Sequence, residues 1–142
     1  KDLVTLKEEF ALCRQYLELE NLRLGDRLHV AWDVETCPQD AQVPPLMLQP
    51  LLENAVYHGV EPSPEPVTVT LRAAREGEEI RIALSNPYHG EHAQHAGNRM
   101  ALDNIRERLM LFYDLEARLE TETEAGVFRV TIRLPYRREG KP

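Results

Sequence analysis

The sequence has no stretch of the roughly 18–20 apolar residues that a helix needs to cross a bilayer, and no leader with basic, apolar and small-residue segments. It has no cluster of Lys and Arg either. The formal net charge is −7, which argues against wrapping a nucleic acid, and the short pair Arg137 and Arg138 does not alter that. Cysteine is scarce: Cys13 and Cys37 stand far apart without a Cys-x-x-Cys spacing. Two reduced thiols are therefore expected rather than a disulfide or a metal site. His89, His92 and His95 lie at spacings of three in one polar stretch. With no Cys partner and no His-Glu-x-x-His pattern beside them, zinc is not expected. Internal repeats and low-complexity segments are also lacking. The chain opens on Lys1 rather than Met, so it is expected to be a piece of a longer protein, with any membrane-spanning part upstream.

What is present suits one globular domain: 142 residues, 42% hydrophobic and 29% charged. Thr5 and Glu8 have the spacing of a capping box. Leu6, Phe10, Cys13 and Leu17 then form the apolar stripe of a helix that stops near Gly25. Leu28, Val30, Trp32 and Val34 alternate with Arg27, His29, Ala31 and Asp33, the pattern of a strand buried on one face. A loop over 37–45 follows. Leu48, Leu51, Leu52 and Ala55 mark a second helix ending at Gly59, which tolerates Pro50 in its first turn or at a kink.

Beyond a Pro-rich loop, Val67, Val69, Leu71 and Ala73 and then Ile80, Ile82 and Leu84 predict two strands joined by a tight connection at Glu76, Gly77 and Glu78, an antiparallel hairpin. The polar stretch 86–98 reads as a long mobile loop, of a length that is usually functional. A third helix is expected from Arg99 or Met100, with Leu102, Ile105, Leu109 and Phe112 as its core face. Strands over 115–123 and 128–134 close the chain around the turn Glu124, Ala125 and Gly126. The order α β α β β α β β predicts an α+β fold: a two-layer sandwich with a mixed, mostly antiparallel sheet covered on one face by about three helices.

Two segments carry candidate chemistry. On the second helix, Asn54, Tyr57 and His58 at i, i+3 and i+4 share a face away from the leucines. The Asn carbonyl oxygen suits Mg²⁺, a hard ion that keeps part of its water shell. A Tyr hydroxyl or a charged His can donate to phosphate oxygens. At the start of the third helix, Gly97 and Asn98 precede Arg99. A Gly-led turn at a helix N-terminus offers free backbone N–H groups to an anion, and an ordinary junction with Asn98 as N-cap is the plainer alternative.

Taken in order, the segments resemble a known family. The run Pro-Pro-Leu-Met-Leu-Gln-Pro-Leu-Leu-Glu-Asn-Ala over 44–55, continuing to Gly59, resembles the N-box of the LytS/AlgZ-like sensor histidine kinases. The run Gly-Asn-Arg-Met-Ala-Leu-Asp-Asn-Ile-Arg-Glu-Arg-Leu over 97–109 resembles that group's second glycine box and following helix. Leu-Glu-Leu-Glu-Asn-Leu-Arg-Leu-Gly-Asp-Arg-Leu over 17–28 is similar to its lead-in. The resemblance covers nearly the whole chain. It implies a Bergerat-type (GHKL) ATP-binding catalytic domain over 26–136, after a lead-in helix over 1–25 and before a tail over 137–142.

By that resemblance Asn54 is the Mg²⁺ ligand, with Glu53 its acidic catalytic neighbour. ATP would be held by Asn54, Tyr57, His58, Asn86, Gly97, Asn98, Arg99, Met100, Ala101, Leu102 and Asn104. Several positions depart from the pattern. Tyr57 stands where many relatives have Lys or Arg. Asn86 replaces the Asp that reads the adenine amino group. The Asp-x-Gly-x-Gly pattern is missing from 86–90, and Arg99 and Ala101 occupy usual glycine positions, where a Cβ limits close approach to phosphate. Weak ATP binding, an altered pose, or binding only within the whole protein are each compatible with these changes, as is a regulatory or scaffolding module that has lost its nucleotide.

The resemblance further implies phosphorylation of a histidine on a separate dimerisation and phosphotransfer domain, and a LytTR-type response regulator as partner. It implies a homodimeric full-length protein and a cytoplasmic place for this domain beneath a bacterial inner membrane. No phospho-accepting residue is assigned within the chain.

Overall fold

A computed structural model describes residues 3–87 and 92–138, with backbone only for 92–98. Thr5 starts the first helix as expected. Its hydroxyl accepts from the Glu8 N–H at 3.2 Å, and the Glu8 carboxylate accepts from the Thr5 N–H at 3.1 Å. Helix α1 then runs Leu6–Leu24 and buries Leu6, Phe10, Cys13 and Leu17. It ends at Gly25, whose φ of 58° is one that a side chain disfavours.

The first strand, β1, is only Val4–Thr5 and pairs antiparallel with β3, Gln42–Val43. This two-residue ribbon is too short to leave a sequence pattern. The main sheet holds β2 (Leu28–Asp33), β4 (Val67–Glu76), β5 (Glu79–Pro87), β6 (Arg118–Glu124) and β7 (Val127–Pro135) in the order β2-β4-β5-β7-β6. Only β2 and β4 pair in parallel within it; the other neighbours are antiparallel. The parallel pair needs a crossover, and helix α2, Leu48–Ala55, lies in it.

Alternation decides which face of the sheet is covered. Val67, Val69, Leu71, Ala73, Ile80, Ile82, Leu84, Val130, Ile132 and Leu134 point into one core with the buried faces of α1, α2 and α3. The other face carries cross-strand ion pairs such as Arg129 with Glu122 and Arg133 with Glu76. The hairpins close as their residues dictate. Gly77 takes positive φ between β4 and β5, and Ala125 and Gly126 both do between β6 and β7, the conformation of a two-residue turn whose twist matches the strands. The α+β expectation is met, with three helices and a mixed five-stranded sheet.

Two boundaries differ from expectation. The stretch 86–98 is not a loop throughout, and the third helix does not start at Arg99 or Met100: α3 spans His92–Tyr113. Ala93, Gln94 and Ala96 favour helix, and a lone Gly97 costs only about 1 kcal/mol in a helix interior. Tyr88, His89, Gly90 and Glu91 lie outside the described residues, as do 1–2 and 139–142. The strand expected from Leu115 begins at Arg118, after a short turn of helix over Asp114–Glu116.

Candidate nucleotide site

Helix α2 is short, and most of what fixes it comes from elsewhere in the chain. Leu48, Leu51, Leu52 and Ala55 are buried, and Pro50 sits in the first turn, where its missing N–H has no intrahelical partner to lose. After Ala55 the backbone widens into a π turn over Val56–Val60, closed by the Glu61 N–H donating to the Val56 carbonyl at 3.0 Å. Such wide turns recur at functional sites. The extra residue per turn modifies the expected helical face: Asn54 and His58 are half-buried, whereas Tyr57 and Glu53 are exposed. Gln49 donates to Glu53 at 3.1 Å. The rings of Tyr57 and His58 meet edge to face at 4.9 Å.

Burial lowers the pKa of His58 from its usual 6.5. The neutral imidazole is thus favoured over the charged form considered from sequence, and it keeps one N–H donor. On the neighbouring face of α1, burial raises the pKa of the Tyr16 phenol, and the charges of Glu20 and Glu53 add to the rise. The two thiols are buried and free. Burial, then the charge of Glu9, pushes Cys13 up to about 12, and burial pushes Cys37 up to about 11, so both stay protonated and unreactive.

Asn86, at the end of β5, is brought against the π turn. It is 7% exposed and donates from its side-chain amide to the Pro87 carbonyl at 2.7 Å. A Cβ on Gly59 would lie 2.7 Å from the Asn86 Nδ2. Glycine at 59 is therefore what lets the end of the N-box segment and the end of β5 touch.

Helix α3 passes on with Leu102, Ile105 and Leu109 buried, while Arg99, Met100 and Asn104 are exposed. Gly97 and Asn98 lie within this helix rather than at its start. A continuous helix engages its interior N–H groups with carbonyls four residues back, so Gly97 does not lead the helix as expected. The Leu102 side chain packs in the core.

Three charged groups missed from sequence organise this region. Glu9 of α1 is 1% exposed, and its carboxylate accepts from the Leu46 N–H at 3.1 Å and the Leu48 N–H at 2.8 Å. Arg108 of α3 donates to the carbonyls of Leu46, at 2.9 Å, and Pro45. The two side chains hold a segment in which Leu46 has φ of 56°. Arg27 donates to the carbonyls of Val60, Glu61 and Ser63 at 3.1, 2.9 and 3.3 Å. One signal was available: Glu9 sits on the same side of α1 as Leu6 and Cys13, an acid within an apolar stripe. Arg27 and Arg108 gave none, because their partners are distant in sequence.

No family model matches the chain. In sequence it is 31% identical over 144 residues to the sensor histidine kinase YpdA of Escherichia coli K12, covering 93% of this chain and 25% of that protein. Sensor proteins named LytS are among its other relatives. In structure it matches the nucleotide-free catalytic domain of the histidine kinase ThkA with a TM-score of 0.73 at 12% identity, over 98% of this chain and 100% of that one. The chain is a relative of the sensor histidine kinases and has their catalytic-domain fold. Full-length histidine kinase ShkA, solved in complex with AMPPNP, matches with a TM-score of 0.63 at 22% identity, over 96% of this chain and 32% of that one. The chain spans about a quarter of the length of the sensor histidine kinases it matches in sequence. Among its described residues, no helix is long and apolar enough to cross a membrane.

Proposed function

We propose that this chain is the ATP-binding catalytic domain of a two-component sensor histidine kinase, holding Mg·ATP between α2 and α3. The observation that carries the reading is the meeting of Gly59, in the π turn that ends the N-box segment, with Asn86, the position that by resemblance faces adenine. Asn54 would ligate Mg²⁺ through its carbonyl oxygen. Among the described residues no three His, Cys, Asp or Glu side chains gather around one point. That suits Mg²⁺, which is bound through one or two protein oxygens and the substrate's own phosphates rather than a protein cage. When bound, the ion neutralises charge on the transferring phosphoryl group.

The protein's part is positioning. Asn86 accepts from the adenine amino group through its carbonyl, since its NH₂ is already committed to Pro87. In this reading His58 and Tyr57 would donate to phosphate oxygens, Glu53 would stand beside the metal or the phosphoryl path, and the residues from Gly97 to Ala101, with Asn104, would border the phosphates. The domain would present the γ-phosphate to a histidine on a separate helical domain of the same protein, for onward transfer to a response regulator, for which the LytTR type is our reading. The full-length protein would be a membrane-anchored homodimer with this domain in the cytoplasm.

Titration of the domain with a fluorescent ATP analogue and Mg²⁺ tests this. Saturable binding that Asn54→Ala weakens is the expected result. No saturation up to millimolar nucleotide, with Asn54→Ala indistinguishable from wild type, would replace the proposal with a scaffold of the same fold that has lost its nucleotide.

A further inference from the structure

Helix α2 has eight residues before its π turn, fewer than the roughly 12–15 below which isolated helices are marginal in water. It also has no side-chain cap at its N-terminus. Met47 occupies the N-cap position and makes no side-chain hydrogen bond to the first turn. The first N–H groups of a helix and its last carbonyls lack intrahelical partners. Here the chain entering the helix and the chain leaving its π turn are both held from one other piece of chain. At the N-terminus, the two oxygens of Glu9 take the N–H groups of Leu46 and Leu48 separately. At the far end, the guanidinium of Arg27, in the turn after α1, reaches three carbonyls between Val60 and Ser63. The signs are those the helix dipole favours: negative at the N-terminus and positive at the C-terminus. Since Glu9 precedes Arg27, α1 and α2 run side by side in the same direction.

We infer that Glu9 and Arg27 are positioning residues of the nucleotide site, fixing the axial and rotational setting of α2 and hence of Asn54. Neither touches nucleotide. Each acts through the backbone of α2, and α1 is thereby part of the site's frame: a displacement of α1 along its axis would alter both ends of α2 together. The inference rests on the reading of α2 as the metal–nucleotide helix.

The test uses the whole chain with four variants. Glu9→Gln keeps shape but turns an NH₂ toward a backbone N–H. Arg27→Gln removes the charge, and Arg27→Lys keeps it with a single contact. Ile132→Val, in the sheet core, serves as the control, compared at matched loss of Tm. Affinity for a fluorescent ATP analogue with Mg²⁺ and amide hydrogen exchange are both read. Glu9→Gln and Arg27→Gln should each weaken binding about fivefold to tenfold, the equivalent of one ordinary hydrogen bond, and Arg27→Lys should recover part of it. Exchange should quicken selectively over 48–60, while Ile132→Val shows neither effect.

Wild-type affinity in both Gln variants, or exchange that rises uniformly along the chain, would overturn the inference. If the wild-type chain binds no nucleotide, it is the functional reading that falls. Exchange then decides the positioning role alone: selective loosening of 48–60 supports it and uniform loosening overturns it.

Discussion

Helices α2 and α3 border the same proposed site and both seat an apolar face in the core, but their backbones are held differently. α3 spans twenty-two residues and is seated by its own apolar face, Leu102, Ile105 and Leu109. α2 spans eight, and charged side chains from α1, the turn after it and α3 grip the backbone at and around its ends. A long amphipathic helix carries enough buried surface to fix itself, whereas a short one takes its setting from its neighbours. Damage to α3 should therefore register first as lost stability, and damage around α2 as lost binding.

The largest expected effect lies on α3. Leu109→Ala removes a side chain only 2% exposed and should cost about 2–5 kcal/mol in urea unfolding. Under conditions where the variant remains folded, its nucleotide affinity should stay near wild type; a large loss of affinity there would break the comparison. Gly59→Ala comes next. Its Cβ would lie 2.7 Å from Asn86 Nδ2, an overpacking that should cost about 1–3 kcal/mol. Binding should weaken by more than an equally destabilised core variant shows, because the contact joins two walls of the site.

Ala101→Gly should separate stability from binding within α3. It should destabilise the helix by about 1 kcal/mol and yet tighten ATP binding, if the Cβ at 101 holds phosphate away. Unchanged or weaker affinity would show that this departure from the glycine pattern is not what limits the site.

The smallest effect concerns pH. Burial lowers the His58 pKa below 6.5, so the unfolded chain takes up that proton first. The stability this group contributes is present above 6.5, falls as pH drops through 6.5 toward the folded-state value, and levels off below it. An imidazole titration followed by NMR should place the midpoint below 6.5. A midpoint above 6.5 would mean that a nearby charge, not burial, governs His58.

Local pattern carried much of the fold. The Thr5–Glu8 box, the alternation of β4, β5 and β7, the tight turns at Gly77 and Ala125–Gly126 and the stripe of α2 each depend on neighbours a few residues away, and each appears in the structure. The start of α3 was not legible. Its first residues are polar, and a helix-compatible polar run with Gly97 in it looks like a loop until the apolar face beyond it extends the helix backward. The ribbon of β1 with β3 was hidden because two residues show no period.

The sequence by itself determined the two-layer α+β architecture, the place of the N-box segment on a helix, and the resemblance to the sensor histidine kinases. Tertiary structure alone decided the π turn at Val56–Val60, the contact of Gly59 with Asn86, and the grip of Glu9, Arg27 and Arg108 on the N-box segment. The division has one physical cause. Periodicity and capping are local and are written in adjacent residues. A hydrogen bond between Glu9 and Leu48 joins residues 39 apart, and a buried acid on a helix does not reveal its partner until the chain has folded around it.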